Sequence, residues 1–404
     1  MQKTALRNWM KSAPVNAIFI GLDSNARFVG GAVRDALLGK DAKDIDIATP
    51  YTPEEVTAKL QAKGIKIVPT GIKHGTVTAV TKGGDFEITT LRRDVDCFGR
   101  HAEVEFTDNW AEDAARRDFT INAMSCTQNG EIFDYFCGMQ DLEAKKIRFV
   151  GDAQQRCKED YLRILRFFRF FAYYGAPPAD SEALAAFRLL ANGIDTLSGE
   201  RIQSEMFKLL TAPDPIHSLH LMVETGVMPH IIQGIDAASI APLEKIIKRK
   251  NAITKDKIFR LAVLINNNLD SAVALIKRWR LSNLDKNRLL FLCNPANRFP
   301  ENIDEKTAKK YLRVWGAEKF LDMCFLCFAY GMKKELLDTL VKLQYWDIPK
   351  FPLAGHDLAN IGLQGKEIGQ SLEEAEKWWE ENGYKAGKKE LLEFVKKLNN
   401  LSFG

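Results

Sequence analysis

The sequence predicts an α+β fold in which a mixed α/β unit precedes a longer all-helical region. Short runs rich in threonine and β-branched residues, typical of strands, are confined to the first third of the chain. From about residue 147 onward, apolar residues recur instead at spacings of three and four, the period of a helix. The 404 residues also exceed the about 250–300 that one hydrophobic core supports, so we expect more than one unit.

Local patterns define the elements of the mixed unit in order. RFVGGAV is a short apolar run broken by two glycines, and DIDIAT, which begins at residue 44, alternates acidic and apolar side chains. The sequence TPEEV resembles a capped helix start and predicts a helix over 52–63. The runs TVTAVTKGG and DFEITTLRR predict two further strands, and the polar stretch 92–110 predicts a mobile loop or a hairpin.

The rest of the chain is a succession of short amphipathic segments separated by proline and glycine. Helices are predicted for KEDYLRILRFFRFFAYY (158–174), SEALAAFRLLANG, ERIQSEMFKLL, KDKIFRLAVLI, AVALIKRWR, NRLLFLC and ELLEFVKKL. These segments share no fixed repeat period, which argues against a solenoid.

Composition excludes several classes of protein. A hydrophobic fraction of 46% rules out global disorder, and a net charge of +4 does not by itself indicate a nucleic-acid binder. No run approaches the roughly 18–20 uncharged apolar residues of a membrane span. Seven scattered cysteines and the lack of a signal-peptide pattern predict a reduced, cytoplasmic chain without a membrane partner. The pair Cys324 and Cys327 is interpreted as helix core rather than as a metal or redox site.

The triplet Asp44-Ile45-Asp46 is the first candidate for chemistry. On a strand both carboxylates would point to one face and Ile45 to the other. Such carboxylates repel each other, and a divalent cation such as Mg²⁺ would relieve the repulsion. A bare D-x-D is more often a solvated strand edge, so the metal interpretation depends on its neighbours.

A glycine pair about ten residues earlier supports that interpretation. Gly30 and Gly31 follow an apolar run and open a predicted helix that carries Arg34. Glycine lets backbone N–H groups approach a phosphate, and arginine adds a permanent positive charge. Phosphate binding beside an acidic pair predicts phosphoryl or nucleotidyl transfer by two metal ions, without the P-loop motif.

Several ordered motifs resemble one family. GGAVRD, DIDIAT, PTGIKHGTVTAV, RRDFTINAM and EDYLRILRFFRF are similar to segments of the class II tRNA nucleotidyltransferases, the CCA-adding enzymes, which share a head domain with bacterial poly(A) polymerases. The match extends strongly over about 27–210. The resemblance implies a catalytic head at 1–147, a base-selecting neck at 148–212, a helical body at 213–335 and a tRNA-binding tail at 336–404.

The resemblance also implies roles for individual residues. Asp44 and Asp46 would be catalytic and hold two Mg²⁺ ions, with Glu87 a further possible ligand; an exposed strand glutamate is the equal alternative. The implied nucleotide contacts, with Arg117 and Asp118 facing the triphosphate and the ribose, are Gly30, Gly31, Arg34, Arg116, Arg117, Asp118, Asn122, Glu159, Asp160, Arg163, Arg166 and Arg169.

The E-D-x-x-R segment would select the incoming base. Asp160 and Arg163 are three apart in a predicted helix and would share a face, with Arg166 one further turn along. A carboxylate can accept from the exocyclic amine of cytosine or adenine while an arginine donates to the ring nitrogen. Taken alone, the pair would be interpreted as an ion pair within the helix; within this motif series we favour base selection.

Two further regions concern the switch between bases and the RNA. Asp94, Arg100 and His101 match the family's flexible loop, which is implied in the change from C to A addition. A locally basic segment, 244–280, suits an RNA backbone, although a solvated helical surface is the equal alternative. The candidate tRNA contacts are Lys248, Arg249, Lys250, Arg278 and Arg280.

The resemblance thus implies an enzyme that adds CCA to the 3′ end of tRNA, with CTP and ATP as substrates and pyrophosphate as product. The nearest rivals share the chemistry and differ in product: CC addition, A addition or poly(A) synthesis. A non-catalytic RNA-binding protein is disfavoured, since such a protein has no physical reason to keep a repelling acid pair. Nothing in the sequence indicates an oligomeric state.

Overall fold

The computed structural model describes residue 4 and residues 7–42, 44–98, 101–249 and 253–400. The predicted α+β fold is confirmed. The mixed unit contains α1 (Ala13–Gly21), β1 (Arg27–Val29), α2 (Gly31–Leu37), β2 (Asp46–Thr49), α3 (Pro53–Gln61), β3 (Lys66–Gly71), β4 (Thr76–Thr81), β5 (Gly84–Thr90), β6 (Arg92–Phe98), β7 (His101–Phe106), α4 (Trp110–Ala115), β8 (Ser125–Cys126), β9 (Ile132–Phe133) and α5 (Gly138–Glu143).

Helices alone follow this unit in the described part of the chain. They are α6 (Ala153–Glu159), α7 (Leu162–Tyr174), α8 (Ser181–Leu190), α9 (Gly199–Leu210), α10 (Ile216–Glu224), α11 (Ala237–Ile247), α12 (Lys257–Leu264), α13 (Leu269–Trp279), α14 (Asn283–Cys293), α15 (Glu305–Trp315), α16 (Ala317–Ala329), α17 (Lys334–Lys342), α18 (Gly355–Ala359), α19 (Lys366–Glu381) and α20 (Lys388–Leu398). No helix in the described ranges is long and apolar enough to cross a bilayer.

The sheet places β2 in its interior, in the strand order β3-β4-β5-β2-β1-β8-β9. Strand β2 pairs in parallel with β5, and this register sets Asp46 opposite Glu87. The prediction that Asp44 also lies on the strand is wrong, because β2 begins at Asp46 and Asp44 lies in an exposed bend before it. The buried segment Ile47–Thr49 anchors the strand in the core, so Asp46 is fixed by its backbone.

The polar stretch after β5 forms a hairpin, one of its two predicted forms. Strands β6 and β7 pair antiparallel, and Arg93 forms an ion pair of 2.8 Å with Glu105 across them. The candidate loop residue Arg100 and the side chains of Asp94 and His101 lie outside the described part of the chain.

A continuous hydrophobic core joins the sheet to the helices that follow it. Phe119, which follows α4, packs 5.1 Å from Phe170 of α7, and Phe167 of α7 packs 5.0 Å from Phe187 of α8, both between ring centroids. Burial of such a ring contributes about 1.5–3 kcal/mol to stability, so α7 is firmly held against the sheet. The core also buries Cys324 in α16, where burial raises the pKa of its thiol.

A second, separate core lies near the C-terminus and contains Leu353, Leu358 and Trp379 of the segment that includes α18–α20. Leu337 and Leu340 of α17 belong to the larger core instead. The domain boundaries proposed from the sequence remain predictions.

The predicted helix over 158–174 is interrupted, and this changes the expected geometry of Asp160. Helix α6 ends at Glu159, Asp160 is extended (φ −155°, ψ 108°), and α7 begins at Leu162. Asp160 accepts a hydrogen bond of 3.1 Å from the Leu162 amide through its carboxylate. An aspartate that bonds to nearby backbone competes with helix continuation and favours a helix start. The prediction that Asp160 and Arg163 share one helical face is therefore wrong.

Candidate active site

A cleft of about 710 Å³ lies between the sheet and helices α7 and α9. Its wall contains seven arginines but only four aspartates, so it suits a polyanion that arrives with cations. It brings together most of the predicted nucleotide contacts and the acidic pair, and adds Leu162, Phe170 and Arg201. The lining residues are Gly30, Gly31, Arg34, Asp44, Asp46, Arg116, Arg117, Asp118, Asn122, Asp160, Leu162, Arg163, Arg166, Arg169, Phe170 and Arg201. Neither Glu87 nor Glu159 lines it.

We call Gly30, Asp44, Asp46 and Arg117 the acidic end of the cleft. Gly30 has φ +65° and ψ −130°, a conformation that side chains of L-residues disfavour. A Cβ at this position would lie 3.1 Å from Nη1 of Arg117 and 3.9 Å from Oδ2 of Asp46. Glycine is therefore favoured by backbone conformation, and a Cβ would also be tight against the Arg117 side chain.

The electrostatics of the acidic end fit a divalent cation. Burial raises the pKa of Asp46 above its ordinary value, and the charges of Glu87 and Asp44 raise it further, while Arg117 opposes them. A cation would relieve this excess of negative charge. Within the residues that the structure describes, no three His, Cys, Asp or Glu side chains form a metal cluster. Two carboxylates suit Mg²⁺, which keeps several waters and takes substrate phosphates as ligands.

Glu87 contributes to this charge from outside the cleft. It is exposed and stands opposite Asp46 in the parallel register. Its role as a metal ligand stays a prediction.

A buried carboxylate orients both arginines of the R-R-D motif. Asp113 of α4 binds Nε of Arg116 at 2.8 Å and Nη2 of Arg117 at 3.1 Å. Burial would raise the pKa of Asp113, but Arg117 and Arg116 outweigh burial and hold it below its ordinary value. Sequence reasoning missed Asp113, although an acid three and four residues before two arginines is a recognisable signal.

A hydrogen-bonded chain connects α2 with α7 across the floor of the cleft. Nη1 of Arg34 donates to Oδ1 of Asn122 at 2.7 Å, and Nδ2 of Asn122 donates to Oδ1 of Asp118 at 3.1 Å. Oδ2 of Asp118 accepts from Nε of Arg166 at 2.7 Å. Burial opposes ionisation of Asp118, yet Arg166 and these hydrogen bonds lower its pKa below the ordinary value. Asp118 is thus held as an acceptor at the cleft wall.

Helix α9 supplies a second buried carboxylate that sequence reasoning missed. Glu205 is 4% exposed, binds Nε of Arg169 at 2.6 Å and lies 4.0 Å from Arg166. The missed signal is its spacing, since Glu205 falls with Ile202 and Met206 on the apolar face of the helix. A buried acid on such a face needs cationic partners.

We call Asp160, Arg163 and Arg201 the helical end of the cleft. Oδ2 of Asp160 accepts from Nη2 of Arg201 at 2.7 Å. Arg163 instead donates through Nη1 to the carbonyl of Arg156 at 3.0 Å and to Glu159. Asp160 and Arg163 are therefore each engaged by a different partner. Arg201 was not predicted, because its partner is 41 residues away in the sequence.

The candidate tRNA contacts lie away from this cleft, and each described one has a partner. Lys248 pairs with Glu244 at 2.7 Å, and Arg249 pairs with Asp338 at 2.8 Å. Arg278 donates to the carbonyls of His230 and Ile231, and Arg280 pairs with Glu200. Lys250 lies outside the described residues. Acidic neighbours thus reduce the surplus positive charge of this segment.

Comparison with known proteins places these features in context. Residues 26–148 match the family model of the poly A polymerase head domain, and 180–239 match a probable RNA and SrmB-binding site of polymerase A. The mitochondrial CCA tRNA nucleotidyltransferase 1 of Homo sapiens is 39% identical, over 94% of this chain and 88% of its own. The CCA-adding enzyme of Leuconostoc citreum is 35% identical, over 71% of each chain.

Solved structures agree in fold over nearly the whole chain. The Bacillus stearothermophilus CCA-adding enzyme in complex with CTP has a TM-score of 0.76 at 26% identity, covering 96% of this chain and 98% of its own. The Thermotoga maritima CCA-adding enzyme complexed with tRNA has a TM-score of 0.73 at 22% identity, covering all of both chains.

Proposed function

Because this chain belongs to the family of CCA-adding tRNA nucleotidyltransferases, we propose that it adds CMP, CMP and AMP to the 3′ end of tRNA from CTP and ATP, releasing pyrophosphate. The resemblance read from the sequence motifs is thereby confirmed. The observation that carries the proposal is the single cleft that joins an acidic pair to a wall of arginines. This arrangement provides for a metal-bound triphosphate and for an attacking hydroxyl.

Membership of this nucleotidyltransferase family implies a divalent metal, and we propose two Mg²⁺ ions held by Asp44 and Asp46. When bound, the ions would activate the tRNA 3′-hydroxyl and neutralise charge on the triphosphate. Gly30 keeps space beside Arg117, since a Cβ there would lie only 3.1 Å from Nη1 of Arg117.

The arginines of the cleft bind and orient the triphosphate. Arg116 and Arg117 project from one carboxylate anchor, Asp113, which limits the directions that their guanidinium groups can take. Arginine suits phosphate because its planar fork forms paired hydrogen bonds. Asp118, held ionised by Arg166, accepts from a ribose hydroxyl.

The helical end selects the base. Asp160 accepts from the exocyclic amine shared by cytosine and adenine, and Arg163 donates to the adjacent ring nitrogen. Uracil and guanine present a carbonyl and an N–H at these positions. Each mismatch would leave buried polar groups unpaired, at a cost of about 1–3 kcal/mol per group.

The helical region would hold the tRNA, chiefly through its phosphate backbone and shape. Lys248, Arg249, Lys250, Arg278 and Arg280 remain the proposed contacts. A cytoplasmic location is also part of the proposal; the free cysteines among the described residues support a reduced compartment, whereas several relatives are named mitochondrial.

The test uses tRNA transcripts that end before CCA, after C and after CC, incubated with CTP and ATP singly and together. Sizing of the products should show completion to CCA from all three, with ATP used only after CC. Products that stop at CC, begin only after CC, or extend as poly(A) would identify the rival activities instead. No extension of any transcript would contradict the proposal.

A further inference from the structure

Asp160 lies between two helices, so its side-chain direction is not fixed by helical geometry. The residue is extended at the break between α6 and α7, and two contacts determine where its side chain points. Oδ1 accepts from the Leu162 amide at 3.1 Å, and Oδ2 accepts from Nη2 of Arg201 at 2.7 Å. The first contact is local, whereas the second comes from α9, so the orientation of the carboxylate depends on a distant helix.

Arg201 occupies a position that is unfavourable for a cation. It is the third residue of α9, where the helix dipole places partial positive charge. Its side chain is 17% exposed and lines the cleft beside that of Asp160, which is 20% exposed. Asp160 is the carboxylate that Arg201 pairs with among the described residues. An arginine in the first turn does not stabilise α9, so its presence there is explained by its ion pair with Asp160.

The other half of the base-selecting pair, Arg163, is held by a different helix. Nη1 of Arg163 is engaged by Glu159 and by the carbonyl of Arg156, both on α6. Asp160 and Arg163 are therefore oriented by separate partners and kept from neutralising each other. Without Arg201, the Asp160 carboxylate would be free to turn toward another cleft arginine, since Arg166 is close enough to interact with its charge.

We infer that Arg201 is a positioning residue for base selection: it holds the Asp160 carboxylate in the direction that accepts the amine of cytosine or adenine. This inference rests on the proposed function and deepens it. A carboxylate held in this direction accepts from the amine of cytosine or adenine and offers no donor to the carbonyl of uracil or guanine. A carboxylate that turns away loses the pairing with the amine, so the advantage of the correct bases becomes smaller. Loss of Arg201 should therefore weaken discrimination between bases more than it weakens the transfer step.

The experiment measures kcat and KM for CTP and UTP on a tRNA transcript that lacks CCA, with the full-length protein. Arg201→Gln should lower the ratio of kcat/KM for CTP to that for UTP at least about tenfold, a change of 1.4 kcal/mol. Arg201→Lys should restore part of the ratio because it keeps the charge but not the planar fork. The control is Arg188→Gln, which removes an exposed 2.7 Å ion pair to Glu224 away from the cleft and should leave the ratio unchanged.

A double variant tests whether Arg201 acts by positioning Asp160 or by supporting the structure in general. If Arg201 acts through Asp160, then Arg201→Gln should cause no further loss of discrimination in the Asp160→Ala variant. Losses that multiply in the double variant, or a wild-type ratio in a folded Arg201→Gln protein, would overturn the inference. If Arg201→Gln does not fold, Arg201→Lys carries the test, and an unchanged ratio there would equally overturn it.

The same assay separates this inference from the proposed function. A wild-type protein that does not complete CCA would refute the function itself. Completion of CCA by the wild type, together with unaltered discrimination in the Arg201 variants, would refute only the role of Arg201.

Discussion

The two ends of the cleft are built by different parts of the structure. At the acidic end, the register of β2 places Asp46 by backbone geometry, and Gly30 with its positive φ leaves space beside it. At the helical end, Asp160 and Arg163 flank a helix break and depend on charged partners from α9 and α6. We therefore expect nucleotidyl transfer to depend on backbone geometry at the acidic end and base selection to depend on ion pairs at the helical end. Single substitutions should therefore affect one without the other.

The largest effect should follow from a change at the acidic end. Asp46→Asn keeps the shape of the side chain but removes a charge that the proposed Mg²⁺ site would require, so kcat should fall at least about 1000-fold. Affinity for tRNA, measured by filter binding, should change less than threefold because the helical region is untouched. Asp85→Asn, an exposed aspartate on the adjacent β5, is the matched control. Turnover within tenfold of the wild type would contradict the metal assignment.

The corresponding change at the helical end should alter selectivity instead. Asp160→Ala removes the acceptor for the base amine, so preference for CTP over UTP and for ATP over GTP should fall about 10–100-fold. The Mg²⁺ concentration for half-maximal rate should stay the same, because the acidic end is intact. Asp195→Ala, an exposed partner of His230, should change neither quantity. Retained selectivity, or a shifted Mg²⁺ requirement, would show that the two ends are not independent.

The backbone contribution at the acidic end can be measured with a pair of glycines. Gly30 and Gly64 both have positive φ, but only Gly30 has cleft atoms close to the position of a Cβ. Alanine at either site should cost about 1–3 kcal/mol of stability through strain. Only Gly30→Ala should also reduce kcat/KM, by about tenfold, because its methyl group would displace the Arg117 side chain. If Gly30→Ala and Gly64→Ala had the same Tm and lost the same activity, backbone strain alone would explain the loss.

The same contrast explains which parts of the site can be predicted from the sequence. The acidic end is built from short, contiguous motifs, so Gly30, Asp44, Asp46 and Arg117 are recognisable without a structure. The partner of Asp160 at the helical end is not, because Arg201 is 41 residues away in the sequence. The helix break at Asp160 was also missed, because apolar periodicity continues across it while the cap depends on one side-chain hydrogen bond.

The dependence of protein stability on pH should show the contribution of Asp113, the carboxylate that binds Arg116 and Arg117. Burial disfavours the charged form of Asp113, but Arg117 and Arg116 outweigh it and hold the pKa below the ordinary 3.8. The unfolded chain therefore binds a proton at higher pH than the folded chain, and this carboxylate stabilises the fold above pH 3.8. Its contribution is lost as the pH falls through the folded pKa.

Asp113→Asn should lower the free energy of unfolding in urea by about 1–3 kcal/mol at neutral pH. The difference from the wild type should shrink below pH 3.8. The Asp113→Asn variant should also have a higher KM for CTP but an unchanged ratio of CTP to UTP use, because Arg116 and Arg117 are proposed to bind the triphosphate and not the base. A difference that stays constant with pH would exclude the ionic anchor.

The smallest effects should come from the surface that lies outside both ends. Lys248 is exposed, and its ion pair with Glu244 is weakened by solvent. Lys248→Gln should therefore weaken tRNA binding by less than tenfold. If the lysine contacts a phosphate, the slope of log affinity against log salt should become shallower by about 0.7–0.9. Lys63→Gln, an exposed head lysine, should leave this slope unchanged. A selectivity change in Lys248→Gln would contradict the separation of RNA holding from base choice, since a backbone contact carries no base information.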